Sequence, residues 1–313
     1  MIAVAGFNSA VDMIADTDAI RAGELIRLSS VSAFPGGKGA HVAQTCGALG
    51  NHVRLVGLID DVHQPMFERV LGERGVRFRG VRMPSRLRTC YAIRDAGGRI
   101  TELLEWNTSL EPDIVTQLER AFLIACEGAG LAVLSGSVPS GAPTSLYARL
   151  IARLHNRVDH VIVDTSGPAL EEALAAGPAV VKPNRDEAAR LIGRELSTID
   201  DAMLAVHEIA RRGSRAAIVS LGAEGAAVCW DGRLARIDVP TQAANDGGAG
   251  AVGSGDCFVG GLAVALTRGE PVDDALRLAA ACGAANVLTR EPGLCRPADV
   301  ERLMREVRIA WVS

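Results

Sequence analysis

Lysine is nearly absent from this 313-residue chain: Lys38 and Lys182 stand alone among 33 basic residues. Aromatic residues are also few, at 4%. The apolar mass is therefore Ala, Val, Leu and Ile, which suits buried parallel strands under Ala-rich helices. Without aromatics interleaved among its basic residues, and with a net charge of −4, the chain lacks the footprint of a nucleic-acid-binding domain. No apolar run approaches the ~18 residues of a membrane span, so no membrane partner is expected. The stretch Met1 to Ala15 has no basic flank and runs into Asp12, so it reads as a first strand and not as a signal peptide. Cysteine pairs are missing too. Seven cysteines are scattered singly without C-x-x-C spacing, which excludes a disulfide framework and a zinc site and points to a reduced, cytoplasmic setting. The six histidines never form H-x-x-x-H, which argues against a zinc hydrolase.

What is present is glycine and proline, one or the other flanking each lysine in a short motif. Lys38 lies in Pro35-Gly36-Gly37-Lys38-Gly39 at a loop-to-helix junction. Lys182 lies in Lys182-Pro183-Asn184-x-x-Glu187, which closes a strand and opens a helix; simple helix-start chemistry accounts for this string by itself. A third segment, Gly248 to Asp256, is glycine-dense and ends on an acid. Its Gly248-x-Gly250-x-x-Gly253 string matches the dinucleotide fingerprint only as a string, because it follows no first strand of a βαβ unit. Gly253-Ser254-Gly255 is better suited to present backbone N–H groups at a helix N-terminus, an anion hole for a transferred phosphoryl group. Asp256 at its mouth is either the acceptor of a proton from an attacking hydroxyl or an ordinary first-turn acid.

The elements alternate. Ile2–Phe7, Val53–Ile59, Leu131–Ser135, Val161–Asp164, Val180–Lys182 and Ile218–Leu221 read as strands between helices such as Ala40–Leu49, Ser145–Leu154 and Ala202–Arg212. This rhythm implies a parallel sheet covered on both faces, in one domain spanning 1–313. A β-rich excursion reads as a small lid with strands from about 24–33 and 76–105, the latter rich in arginine. Ala226–Trp230 and Leu234–Val239 form a terminal hairpin on Asp231-Gly232, and everything after Gly255 reads as helical.

Taken in order, these motifs resemble the ribokinase-like (PfkB) carbohydrate kinase family from Ile2 to about Val307. The early signature is Pro35 to Ala43 and the late one Ala251 to Gly261; Ser135 to Pro139, Val181 to Glu187 and Ser220 to Ala226 match between them. Asn8 to Asp12, Arg88 to Ile93 and Thr101 to Glu105 look most like the 1-phosphofructokinase and tagatose-6-phosphate kinase branch. That branch usually has Pro where Ser9 stands and Asn where His41 stands, and a few extra residues within 245–251 precede the anion hole.

The resemblance implies an α/β fold: a three-layer αβα body with a mainly parallel sheet and a small β-sheet lid. It implies ATP-dependent phosphorylation of a sugar hydroxyl, on a ketohexose phosphate of the fructose 1-phosphate or tagatose 6-phosphate type. An unphosphorylated sugar or a nucleoside is the alternative. Asp256 would be the general base, with Gly253, Ser254 and Gly255 holding the γ-phosphoryl group. Asp12, Gly36, Gly37, His41 and Ser137 would line the sugar site, and Lys38 and Arg88 would meet a substrate phosphate. Lys182, Asn184, Ser220, Gly222, Gly225 and Asn286 would border the nucleotide. Mg²⁺ would have Asn184 and Glu187 in its outer shell, and whether a monovalent cation assists stays open. Edge strands of the lid would suit a homodimer contact. Two rival readings stand beside this one: a non-catalytic sugar- or nucleotide-binding regulator, and a nicotinamide oxidoreductase resting on the lone glycine string.

Overall fold

An unbroken apolar strand hides both of its faces only between two helical layers. In the computed structural model, which describes residues 1–106, 109–240 and 251–312, the first strand meets that condition. β1 (Ile2–Gly6) is buried throughout and lies inside the larger of two sheets. The chain then enters a small sheet through β2 (Ala10–Asp16) and β3 (Ser30–Gly36) and returns by α1 (Lys38–Ala48) to β4 (Val53–Ile59). After α2 (Gln64–Glu73) and β5 (Val76–Arg82), the hairpin of β6 (Arg88–Arg94) and β7 (Ile100–Leu104) completes the small sheet.

From α3 (Pro112–Ala125) the alternation is regular. It runs through β8 (Leu131–Ser135), α4 (Leu146–Leu154), β9 (His160–Asp164), α5 (Pro168–Ala175), β10 (Val180–Val181), α6 (Arg185–Ile192), α7 (Ile199–Arg211) and β11 (Ala216–Ser220). A hairpin of β12 (Ala226–Trp230) and β13 (Arg233–Asp238) follows. The chain ends with α8 (Ser254–Arg268), α9 (Val272–Asn286), α10 (Pro297–Met304) and β14 (Arg308–Trp311). None of the described helices is long and apolar enough to cross a membrane.

The large sheet has the order β14-β13-β12-β11-β10-β9-β8-β1-β4-β5, and the small one β3-β2-β6-β7. From β11 to β5 the pairing is parallel, whereas β12, β13 and β14 are added antiparallel. Chain order reverses at β1, with β4 on one side and β8 on the other. Loops leaving the carboxyl ends of these strands diverge there and open a crevice.

Three expectations are corrected. Val76–Arg82, expected in the lid, pairs with β4 from Val53↔Val76 to Ile59↔Arg82 as the edge strand of the large sheet. Its alternating arginines fit a half-exposed edge as well as a lid. Residues 24–29 carry no strand; β3 begins at Ser30 and pairs with β2, which runs between β3 and β6. The C-terminal segment is not all helical either, since β14 pairs with β13. Four residues are too few to show a period. What fixes them is tertiary: Arg233 stacks 4.3 Å over the Trp311 ring, and Trp311 Nε1 donates to Asp273 at 2.9 Å. The Asp231-Gly232 turn has the positive φ values, 49° and 79°, that such a tight hairpin requires.

α1 crosses β1 so closely that a side chain on Gly39 would overlap the Gly6 backbone. Gly39→Ala is therefore expected to lose roughly 1–3 kcal/mol of stability through overpacking, measured by urea titration. An unchanged midpoint would mean that α1 can shift off the sheet.

Candidate active site

The crevice at the switch point collects the motif residues. Asn8 follows β1 and its Nδ2 donates to Ser137 Oγ, after β8, at 2.6 Å. Asp164 ends β9, Lys182 follows β10, and Ser220 ends β11. Between these strand ends, the small sheet and the start of α8 lies a cavity of about 780 Å³.

Asp164 is fully buried at its floor. Its Oδ1 lies 3.4 Å from Lys182 Nζ and 3.6 Å from Lys38 Nζ, and Lys38 Nζ is 4.0 Å from Glu187 Oε1. Neither Asp164 oxygen has a hydrogen-bond partner among the described residues. The Asp164 charge is the main reason the Lys38 ammonium is held well above its ordinary pKa; burial opposes it, and Asp256 and Glu187 reinforce it. The two lysines, expected at separate sugar and nucleotide corners, thus converge on one carboxylate. Compact ammonium groups allow this sharing where two planar guanidinium forks would crowd. Asp164 itself was missed in the sequence. Its signal was an acid closing an apolar parallel strand, where ligands of open α/β sheets bind.

Next to the lysines stands the start of α8. Gly253 is its N-cap at φ 82°, in the left-handed region that glycine tolerates. The Ser254 amide is engaged by the Ala251 carbonyl at 3.0 Å, and the first intrahelical bond runs from Cys257 N to Gly253 O at 2.8 Å. This leaves the first-turn amides of Gly255 and Asp256 without a carbonyl one turn back in the helix. Lys182 Nζ is 3.4 Å from the point where a Gly255 side chain would begin. Ammonium groups and a positive helix end therefore face the same space, an arrangement that favours an anion there. Asn286, expected beside the nucleotide, lies fully buried behind this wall. Its Nδ2 donates to Val252 O at 2.8 Å and to Ser254 Oγ at 3.1 Å, so it shapes the turn without lining the cavity.

The part of the cavity next to the small sheet is organised by His41. Its Nδ1 is 2.7 Å from Asp256 Oδ2 and its Nε2 2.7 Å from Asp12 Oδ2, and all three residues are buried. Gly36 packs flat on the Asp12 carboxylate, where a side chain would overlap it, and Gly37 caps α1. On the small sheet Arg88 and Glu102 face the cavity. Arg88 Nε is buried without a hydrogen-bond partner among the described residues. The Glu102 carboxyl is pushed up, first by burial and then by the charge of Asp12. Ser220, Gly222 and Gly225 line the cavity together with the apolar Ala280, Ala284 and Val287.

Asn184 and Glu187 form a capping box. Asn184 Oδ1 accepts from the Glu187 amide at 2.8 Å, and Glu187 Oε2 accepts from the Asn184 amide at 2.8 Å. Glu187 Oε1 is left facing Lys38. Gly248, Gly250 and the expected extra residues before Ala251 lie outside the described residues.

The pfkB family carbohydrate kinase model matches residues 1–299. The chain belongs to this family. It is accordingly an ATP-dependent sugar kinase, and the oxidoreductase reading of the glycine string falls away. A 1-phosphofructokinase from Haemophilus influenzae is 26% identical over 98% of this chain and 97% of its own. Phosphofructokinase-2 from Escherichia coli, solved with substrates and products, is 27% identical with a TM-score of 0.89, over 97% of this chain and 98% of its own. The same enzyme has been solved with fructose 6-phosphate, with potassium and in a tetrameric inhibited form. A possible 1-phosphofructokinase from Thermotoga maritima shares the fold at 20% identity and a TM-score of 0.86, over 100% of this chain and 99% of its own.

Removing Asp164 leaves the buried Lys182 ammonium without its carboxylate. Asp164→Asn is therefore expected to cost about 3 kcal/mol or more of unfolding free energy, read by denaturant titration. Retention of wild-type stability would show that Lys182 does not depend on that charge.

Proposed function

We propose that this kinase transfers the γ-phosphoryl group of ATP to a hydroxyl of a ketohexose phosphate, with Asp256 as general base. The observation that carries the reading is the meeting of Asp256, the α8 N-terminus and both lysines at one end of the cavity. A hydroxyl held near Asp256 loses its proton to that carboxylate as it attacks. The Gly255 and Asp256 amides and the two ammonium groups face the charge that spreads over the transferred oxygens. Asp12 binds sugar hydroxyls, and the apolar part of the cavity beside Ser220 to Gly225 receives the nucleotide base.

The donor set also suits Mg²⁺. Asp164 offers two buried oxygens without a hydrogen-bond partner, and Glu187 offers Oε1; hard cations take such carboxylates. Asp164 and Glu187, with Asn184 beside them, would hold the ion. When bound, it would neutralise charge on the transferring phosphates. A monovalent cation as an accessory rests on likeness to the potassium-bound relative.

Arg88 supports a phosphorylated substrate, because its orphaned Nε calls for an anionic acceptor. A second reading, an unphosphorylated sugar or nucleoside, is favoured by the turn of Lys38 toward Asp164 and by the acid Glu102 on the neighbouring strand. Exposed Val31, Leu103 and Trp106 on or next to the small sheet support a contact with a second copy. All seven cysteines are free, in keeping with a reducing, cytoplasmic setting.

Asp256→Asn is expected to lower kcat by about 10²–10⁴-fold while ATP still binds. Turnover near the wild-type value would remove Asp256 from the role. A coupled screen over fructose 1-phosphate, fructose 6-phosphate, tagatose 6-phosphate, free sugars and nucleosides tests the substrate class. For a phosphosugar, Arg88→Ala should raise KM roughly 10–100-fold through the lost charged hydrogen bond. An unaltered KM supports the second reading instead.

A further inference from the structure

His41 touches two acids at once, with Nδ1 on Asp256 and Nε2 on Asp12, each at 2.7 Å. An ionised carboxylate only accepts hydrogen bonds, so each ring nitrogen that meets one carries a proton. A ring protonated on both nitrogens is an imidazolium. An amide side chain in the same place would offer one donor and one acceptor, and its acceptor would face a carboxylate. The histidine is also held from behind: a side chain on Gly293 would overlap the His41 Cα and Cβ. The loop carrying Gly293 is anchored by Glu291, which takes Arg74 Nη1 and Nη2 at 2.5 and 2.6 Å.

We propose that His41, as an imidazolium, is the positioning residue that couples the sugar-binding carboxylate of Asp12 to the base Asp256, aiming the base and offsetting the like charge of the two acids. This rests on the reading of Asp256 as the base. One oxygen of each acid is fixed by the ring, so the other is the one presented to the sugar. An imidazolium between the two carboxylates leaves one net negative charge at the site, whereas a neutral ring would leave two.

The surroundings agree with a charged ring. Asp12 faces it from β2 and Asp256 from α8; Glu102 on β7 and Cys90 on β6 lie within the field of Asp12, and Lys38 on α1 within that of Asp256. Gly293 contributes only backbone. Burial, the largest influence, opposes the charge, but the hydrogen bonds and charges of Asp12 and Asp256 outweigh it and raise the imidazole pKa to about 10. The raised value sets the pH window. The stability that the bridge contributes is complete below the ordinary imidazole value of about 6.5. It declines as pH rises and is gone once the ring deprotonates near 10.

The test combines nitrogen NMR of histidine-labelled, full-length protein with kinetics. At about pH 8, well above the ordinary imidazole value, the His41 ring, identified by its absence from His41→Asn, should show both nitrogens protonated. His41→Asn and His41→Gln should lower kcat about 10–100-fold through misorientation of the base, with KM for ATP unchanged. Wild-type kcat should fall as the ring deprotonates near pH 10, and that fall should vanish in both variants. A purely packing role would leave that alkaline limb in place. If His41→Asn fails to fold, the ring signal is identified by its absence from His41→Gln, and the wild-type spectrum still decides. A neutral His41 at that pH, with Asp256→Asn inactive, overturns the coupling and leaves the base standing. Full turnover in Asp256→Asn overturns the base and the coupling with it, whatever the ring signal shows.

Discussion

Burying a carboxylate is tolerable only beside a cation, and Asp164 imposes that condition on the cavity floor. Lys38 and Lys182 reach it from a helix start and from a strand end, and both approach the same oxygen. Their convergence brings α1 and the end of β10 to one point, next to the first turn of α8. An ammonium group pressed against the positive end of a helix is unfavourable in an empty site. On the proposed reading, a polyphosphate bound there would relieve that repulsion and return the cost of assembling the floor.

The fold supplies the convergence through its topology. Reversal of chain order at β1 opens the crevice, and the carboxyl ends of β9, β10 and β11 deliver Asp164, Lys182 and Ser220 in sequence along it. From the opposite side the small sheet brings Asp12, Arg88 and Glu102 to the same cavity. Residues of the two sheets therefore meet at the start of α1.

Much of this was legible in the sequence, because repeated βα alternation and glycine-flanked motifs are local signals. The start of α8 could be read from Gly253-Ser254-Gly255-Asp256, since a helix start is marked by consecutive residues. The helix-start reading of Asn184 and Glu187 was legible too: the pair closes a capping box and leaves Glu187 Oε1 toward Lys38. What escaped depends on contacts between distant segments. Asp164 is an ordinary acid at a strand end until two lysines reach it. β5 belongs to the large sheet because β4 lies beside it, not because of its own pattern. β14 exists because β13 offers it an edge and Trp311 finds Asp273 and Arg233. Asn286 was expected at the cavity wall, but only its distance from solvent tells that it braces the turn from behind.

The placement of Asp12 has one further consequence. It rides on the small sheet, whereas His41 and Asp256 belong to helices packed on the large one. An outward swing of the small sheet would draw Asp12 away from the ring and leave Asp256 with a partner no longer held at both ends. On the proposal that Asp256 is the base, the position of the sheet and the aim of that carboxylate would be one mechanical coordinate.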